Sequence, residues 1–249
     1  MKNDYDPHIL EWTDEKVSRF WNFRNNYKPY DDTWFTQQVG DALLNLVNNH
    51  APLKGKVLDY GTGKGFLVKH IIDNYPAVDL YACDFTDGLA QETDEKYKQH
   101  KSFRGCTLLT DLPSSYESDF FDLVFLIETI EHLTDNYLHS TLREIYRILK
   151  PGGVIVITTP NDEKLEKTFV HCADCGATFH HMQHVRSWNV PSISSITSEF
   201  NFIPVWCKGI NMRWYSKKGF LHYASDQLKK IFAKPNRDNL VYIGKKKGL

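Results

Sequence analysis

Two glutamates and a histidine raise the first chemical question. They stand as Glu128-Thr129-Ile130-Glu131-His132. In a helical turn this spacing gathers both carboxylates and the imidazole, because residues three and four apart are neighbours there. Oxygen and imidazole ligands suit a divalent metal: magnesium, manganese, iron or zinc. An ion bound to a hydroxyl lowers that hydroxyl's pKa and orients it for attack. The plainer alternative is a helix start with exposed acids. A second set follows at His171-Cys172-Ala173-Asp174-Cys175-Gly176. Cys-x-x-Cys-Gly is the form of a zinc knuckle, with the glycine permitting a tight turn around bound thiolates. One knuckle supplies two ligands, so a structural zinc needs His180, His181 or His171 as well. Two reduced thiols without metal are the alternative.

A third stretch is built for a cofactor. In Lys56-Val57-Leu58-Asp59-Tyr60-Gly61-Thr62-Gly63-Lys64-Gly65 an apolar run ends in an acid and three glycines follow at alternate positions. Phe66 to Ile72 then has helical spacing, which makes the whole a buried strand, a turn and a helix. Glycine serves where φ is positive or no Cβ fits. A ligand against the turn would meet backbone N–H groups at the helix N-terminus. Asp84 closes the next strand and Asp111 follows the third. Open parallel sheets bind ligands outside the carboxyl ends of their strands, and a carboxylate there can accept from both ribose hydroxyls. A dinucleotide fingerprint has glycines at positions one, three and six. This chain has them at one, three and five, with Phe66 at six, which disfavours a nicotinamide oxidoreductase.

The elements that must carry these residues alternate. Strands are predicted at 56–60, 78–83, 105–110, 120–127, 152–159, 202–209 and 240–245. Helices are predicted near 64–74, 87–99, 136–149 and 191–200. That order argues for an α/β, doubly wound, largely parallel sheet, with an antiparallel last strand. Residues 1–50 form an aromatic-rich N-terminal helical cap of two helices. The second starts at Asp31-Asp32-Thr33 and runs through about Asn49, with Val39, Leu43, Leu46 and Val47 on one face. The remaining domain, 51–249, contains a Cys/His-rich insertion at 161–190, and a structureless stretch of that length is usually functional.

Composition narrows the classes further. A chain of 249 residues with 41% apolar residues can bury one large core. No apolar run nears the roughly 18 residues of a membrane span, and Met1 to Asp6 lacks the apolar core of a signal peptide. Five cysteines, an odd and sparse set, suit reduced thiols and a cytoplasmic location. The net charge is −1, yet residues 208–249 carry 11 Lys and Arg against 2 Asp and Glu. The basic segment 214–235 reads as a packed decoration before the last strand, or as a face for an anionic surface such as a membrane or glycan carrier.

The stretch Val57-Leu58-Asp59-Tyr60-Gly61-Thr62-Gly63-Lys64-Gly65 resembles motif I of the class I S-adenosylmethionine-dependent methyltransferases. Asp84, followed by Phe85, matches that family's ribose-binding acid, and Asp111-Leu112 its adenine loop. Phe121-Asp122-Leu123-Val124-Phe125 resembles its fourth strand, and Leu149-Lys150-Pro151-Gly152-Gly153 its turn into the fifth. Leu240-Val241-Tyr242-Ile243 looks like its seventh strand. The resemblance implies S-adenosyl-L-methionine bound through Asp59, Gly61, Gly63, Gly65, Asp84, Phe85, Asp111 and Leu112. It also implies a Rossmann-like seven-stranded sheet with the last strand antiparallel.

Glu-x-x-Glu-His resembles two branches of the family, the ubiquinone-biosynthesis O-methyltransferases and the small-RNA 3′-terminal 2′-O-methyltransferases. In the RNA branch it binds a metal that holds vicinal hydroxyls, joined by a later histidine. By spacing from Trp188, His184 is the match, with His181 second. The Cys/His insertion departs from both branches and resembles one in methyltransferases of bacterial surface-polysaccharide and natural-product pathways. The expectation is an O-methyltransferase with Glu128, Glu131 and His132 at the reaction. It would act on a hydroxyl of a sugar, glycan or other small metabolite, through a metal on Glu128, Glu131, His132 and His184, with zinc on Cys172, Cys175 and His180. The alternatives are an RNA 3′-terminal 2′-O-methyltransferase and a non-catalytic cofactor-binding partner protein.

Overall fold

The computed structural model describes residues 5–30, 34–213 and 238–248. Seven strands form the main sheet: β2 (Lys56–Tyr60), β3 (Asp79–Asp84), β4 (Phe103–Leu108), β5 (Phe121–Ile127), β6 (Leu149–Pro160), β9 (Phe202–Ile210) and β10 (Asn239–Lys246). Their order is β4-β3-β2-β5-β6-β10-β9; β10 runs antiparallel to β6 and β9, and the other adjacent pairs are parallel. This is the expected Rossmann-like sheet with an antiparallel last strand. Strand order reverses between β2 and β5, which opens a crevice at their carboxyl ends.

Both faces of the sheet are covered, so its strands read as apolar runs whose side chains alternate sides. Val57, Phe125, Val156 and Val241 point into one core with Leu43 and Val47 of α2 (Phe35–His50) and Leu67 and Ile71 of α3 (Phe66–Asn74). Leu58, Val124, Ile155 and Tyr242 point into the other, against Leu142 and Ile145 of α5 (Asp135–Ile148) and Ile193 of α6 (Val190–Glu199). The remaining crossover helix is α4 (Asp87–Tyr97). Val39, Leu43, Leu46 and Val47 of α2 are buried as their spacing predicts. The Asp31-Asp32-Thr33 start assigned to this helix lies outside the described residues, as does the basic segment 214–235.

The segment expected to be a structureless insertion has a fold of its own. Two short strands, β7 (Phe169–His171) and β8 (Ala177–His180), pair antiparallel. The chain's first strand, β1 (His8–Ile9), adds to β8 in parallel, closing a three-stranded sheet in the order β1-β8-β7. Strands of two to four residues carry too little alternation to register as a period. The sheet ties the residues ahead of α1 (Asp14–Asn26) to the insertion.

Candidate functional site

A cavity of about 220 Å³ opens at the carboxyl edge of β2 and β5. The glycine turn forms one wall, the Glu128–His132 stretch and His184 form another, and Trp21, Arg24 and Trp34 close it from the N-terminal segment.

The turn is held by its own backbone. Gly61 N and Thr62 N both donate to Cys83 O, at 2.9 and 3.0 Å, pinning it across to β3. Gly61, Gly63 and Gly65 have φ of +80°, +55° and +69°, values a side chain disfavours. A Cβ on Gly61 would also sit 3.0 Å from Thr129 Oγ1. Asp59 is buried beneath, accepting from Thr62 Oγ1 at 2.7 Å. Burial first, then the charge of Asp84, push its pKa up to about 7 against that hydrogen bond. Asp84 accepts from Gly63 N and Thr86 N, both at 2.8 Å. A carboxylate has roughly four acceptor sites, so acceptor capacity is left over. Phe85 is exposed and meets Tyr60 edge to face at 5.8 Å. Exposed Asp111 and half-buried Leu112 follow β4, further along the same sheet edge.

Across the cavity, the Glu128–His132 stretch is a turn and not the expected helix: α5 begins only at Asp135. Glu128 has φ +46°, which a continuing helix forbids, and His132 N donates to Thr129 O at 3.1 Å. The turn nonetheless gathers Glu131 and His132 with His184, their ligand atoms all within 4.8 Å of one another. Glu128 stands apart from that group, accepting from Thr158 Oγ1 at 2.7 Å, so the four-ligand set becomes three with Glu128 beside it. Burial raises the Glu128 carboxyl to about 7 despite the Thr158 bond. Glu131 is buried, its Oε2 has no hydrogen-bond partner, and burial followed by the nearby Glu128 charge keeps its proton on well above the usual range. Burial and then His184 lower His132 to about 3, leaving a neutral imidazole at neutral pH.

Behind this wall stand residues that spacing in the sequence does not single out. Glu163 Oε2 lies 2.5 Å from His184 Nδ1, and Glu163 Oε1 lies 3.3 Å from His180 Nε2. Burial alone would raise the Glu163 pKa, but the bond and charge of His184 and the charge of His180 outweigh it and hold the carboxylate ionised. Gln183, fully buried at φ +61°, accepts from Trp21 Nε1 at 2.8 Å and donates to His132 O at 3.0 Å. It bridges α1 to the Glu128–His132 turn. Trp21 also packs edge-on to the His132 ring at 4.9 Å.

The zinc ligand set requires correction. Cys172 and Cys175 lie in the β7–β8 turn, where Gly176 N donates to Cys172 O at 2.9 Å. The N–H groups of Cys175 and Asp174 lower the Cys172 thiol pKa, a local arrangement that suits a knuckle. His180, however, is buried at the far end of β8 against Glu163. His171 bonds Tyr5 Oη at 3.0 Å and Thr178 Oγ1 at 2.8 Å, and His181 Nδ1 lies 3.2 Å from Thr168 O. Among the described residues the metal-capable groups are Glu131–His132–His184 and Glu163–His180–His184, and neither includes a cysteine.

Comparison with known proteins points the same way as the glycine turn. Residues 32–205 match the family described as a methyltransferase domain. The mitochondrial ubiquinone biosynthesis O-methyltransferase of Rattus norvegicus is 33% identical over 141 residues, 51% of this chain and 38% of that protein. The malonyl-[acyl-carrier protein] O-methyltransferase of Acetivibrio thermocellus is 24% identical over 147 residues, 59% of this chain and 50% of that protein. The chain thus spans half or less of the length of these relatives. Among solved structures, the 1,6-didemethyltoxoflavin-N1-methyltransferase of Burkholderia thailandensis, with S-adenosylhomocysteine bound, superposes with a TM-score of 0.64. That likeness covers 98% of this chain and 94% of the other at 15% identity, and it concerns the fold.

Proposed function

The chain belongs to the class I S-adenosylmethionine-dependent methyltransferases, and we propose that it transfers the cofactor's methyl group to a hydroxyl of a sugar, glycan or other small hydroxylated metabolite. One observation carries this reading: a single cavity has the glycine turn on one side and Glu131, His132 and His184 on the other. A donor seated on the turn therefore faces the polar group. The common sheet edge supports Asp59, Gly61, Gly63, Gly65, Asp84, Phe85, Asp111 and Leu112 as the donor's partners. The two O-methyltransferase relatives support oxygen as the accepting atom. The cytoplasm is the proposed compartment, given five free thiols.

The residues present fit a divalent ion. Glu131 Oε2 is buried without a hydrogen-bond partner, and burying an unpaired acid is costly unless a proton or a cation compensates it. His132 is neutral, the form that ligates. Glu131, His132 and His184 would hold the ion, and when bound it supplies a lowered pKa to the acceptor hydroxyl. The chain's own side chains do the rest. Trp21 and Trp34 wall the cavity and limit water. Glu128 stands where it can take the hydroxyl proton. The oxygen–methyl bond forms as the sulfonium–methyl bond breaks, leaving S-adenosylhomocysteine and a methyl ether.

An RNA 3′-terminal diol would use the same group of ligands, so one comparison separates the acceptors. Methyl transfer is measured on nucleotide sugars and glycans, on catechol-like rings and on RNA ending in a 3′-diol. Transfer to RNA alone would replace the small-molecule reading. Calorimetry that finds no S-adenosylhomocysteine binding would sink the donor assignment, and full transfer after exhaustive chelation would remove the metal.

A further inference from the structure

The trio Glu163–His180–His184 has the composition of a second metal site, sharing His184 with the first. Its hydrogen bonds argue against that. His180 Nδ1 accepts from Met182 N and from His184 N, both at 3.2 Å. A ring nitrogen facing two donors carries no proton, so in the neutral ring the proton sits on Nε2. That Nε2 has no aligned acceptor, and its near neighbour is Glu163 Oε1 at 3.3 Å. Neither nitrogen of His180 has a lone pair to offer a metal.

His184 lies parallel on His180, ring centroids 4.3 Å apart, and its Nδ1 is 2.5 Å from Glu163 Oε2. Glu163 thus has a ring nitrogen facing each oxygen, the His180 Nε2–H at 3.3 Å and His184 Nδ1 at 2.5 Å, and a carboxylate so placed accepts the short contact from Nδ1–H. We propose that Glu163 is a positioning residue that locks His184 in the Nδ1–H tautomer, leaving the Nε2 lone pair for the Glu131–His132 group. His180, fixed by two backbone N–H groups, buttresses Glu163 from the other oxygen. A carboxylate behind a ligating imidazole fixes the ring and raises its basicity. The metal half of this inference rests on the proposed function, whereas the tautomer half does not.

The test uses the full chain in three forms: wild type, Glu163→Ala and the near-isosteric Glu163→Gln. Nitrogen-15 NMR of the metal-free protein reads the His184 tautomer, and calorimetric titration with Mn²⁺ alone reads affinity and stoichiometry. The expected result is an Nδ1–H ring in wild type and a mixture in Glu163→Ala. Mn²⁺ binding weakens about 10–100-fold in Glu163→Ala. Glu163→Gln, which keeps an acceptor, recovers part of that loss and serves alone if the alanine variant does not fold. Unchanged tautomer and affinity in both variants overturn the proposal. So does a fall from two Mn²⁺ equivalents to one with the remaining affinity intact, which would make Glu163 a ligand of a second ion. Wild type that binds no Mn²⁺ but shows the lock, lost in Glu163→Ala, supports the positioning role while removing the metal from the proposed function.

Discussion

One wall rests on the backbone turn from Asp59 to Gly65, of which Asp59, Gly61, Thr62 and Gly63 line the cavity, its shape set by three positive φ values and two N–H bonds to Cys83 O. The facing wall is made of side chains drawn from distant stretches: Trp21 and Arg24 of α1, Glu128, Glu131 and His132 of the turn, and Met182 and His184, with Glu163 behind His184. A wall of backbone tolerates little change, because its geometry is written in dihedrals that only glycine adopts freely. A wall of side chains borne on a cap can be rebuilt residue by residue without disturbing the first. The difference teaches where constancy and variation belong under the proposed function: the methyl donor on the rigid side, acceptor choice on the assembled side.

The largest effect is expected where the backbone wall is forced. Gly65→Val places a branched side chain at φ +69° and 2.9 Å from Tyr97 Cε2 of α4, clear of the Glu128–His132 turn. S-adenosylhomocysteine affinity should fall about 100-fold, as two to three kcal/mol of strain implies, with Mn²⁺ binding intact. Equal losses of both ligands by calorimetry would break the separation of the walls. Cutting the strut of the other wall should do the reverse. Gln183→Ala removes the link from Trp21 to His132 O, and the rate of methyl transfer should drop about 10-fold through misplacement. Affinity for S-adenosylhomocysteine should stay within twofold; a large change would show that the cap reaches the donor.

The smallest effect comes from a site touching neither wall. Glu144, buried on α5, accepts from Ser114 Oγ at 2.5 Å and from Arg147 Nε at 2.9 Å. Burial would raise its pKa, but Arg147 and Ser114 outweigh that and leave it below the ordinary 4.5. A depressed folded pKa contributes stability that is fully present above the unfolded value and lost as pH falls through the folded one. Glu144→Gln should therefore cost about 1 kcal/mol at pH 7, reduced by the partial exposure of Arg147. In thermal melts the gap between variant and wild type should close below about pH 4. A constant gap across pH would mean that packing, not charge, is lost.

How far each wall was legible follows from the same contrast. The turn is contiguous, so Asp59, Gly61, Gly63 and Gly65 announce themselves by spacing, and the long apolar strands behind them do the same. Glu131 and His132 stand out by proximity, and His184 by its distance from Trp188. Glu163 was missed because its partners lie 17 and 21 residues on in an aperiodic insertion. His180 was assigned to the thiols because it stands five residues after Cys175. An extended chain advances about 3.3 Å per residue, and β8 carries the imidazole away from the hairpin tip. The helical reading of 128–132 failed at one dihedral, the positive φ of Glu128, which composition does not reveal.

The pairing of β1 with β8 also bears on the order in which the protein is made. His8 lies opposite Ala177 and Ile9 opposite Thr178, so β1 is synthesised well over a hundred residues before the strand it pairs with. By then β2 through β6 have all been synthesised, and a chain generally folds in units as it emerges. The glycine turn can thus form before the insertion's sheet is complete, and β1 closes a loop of well over a hundred residues to finish that sheet.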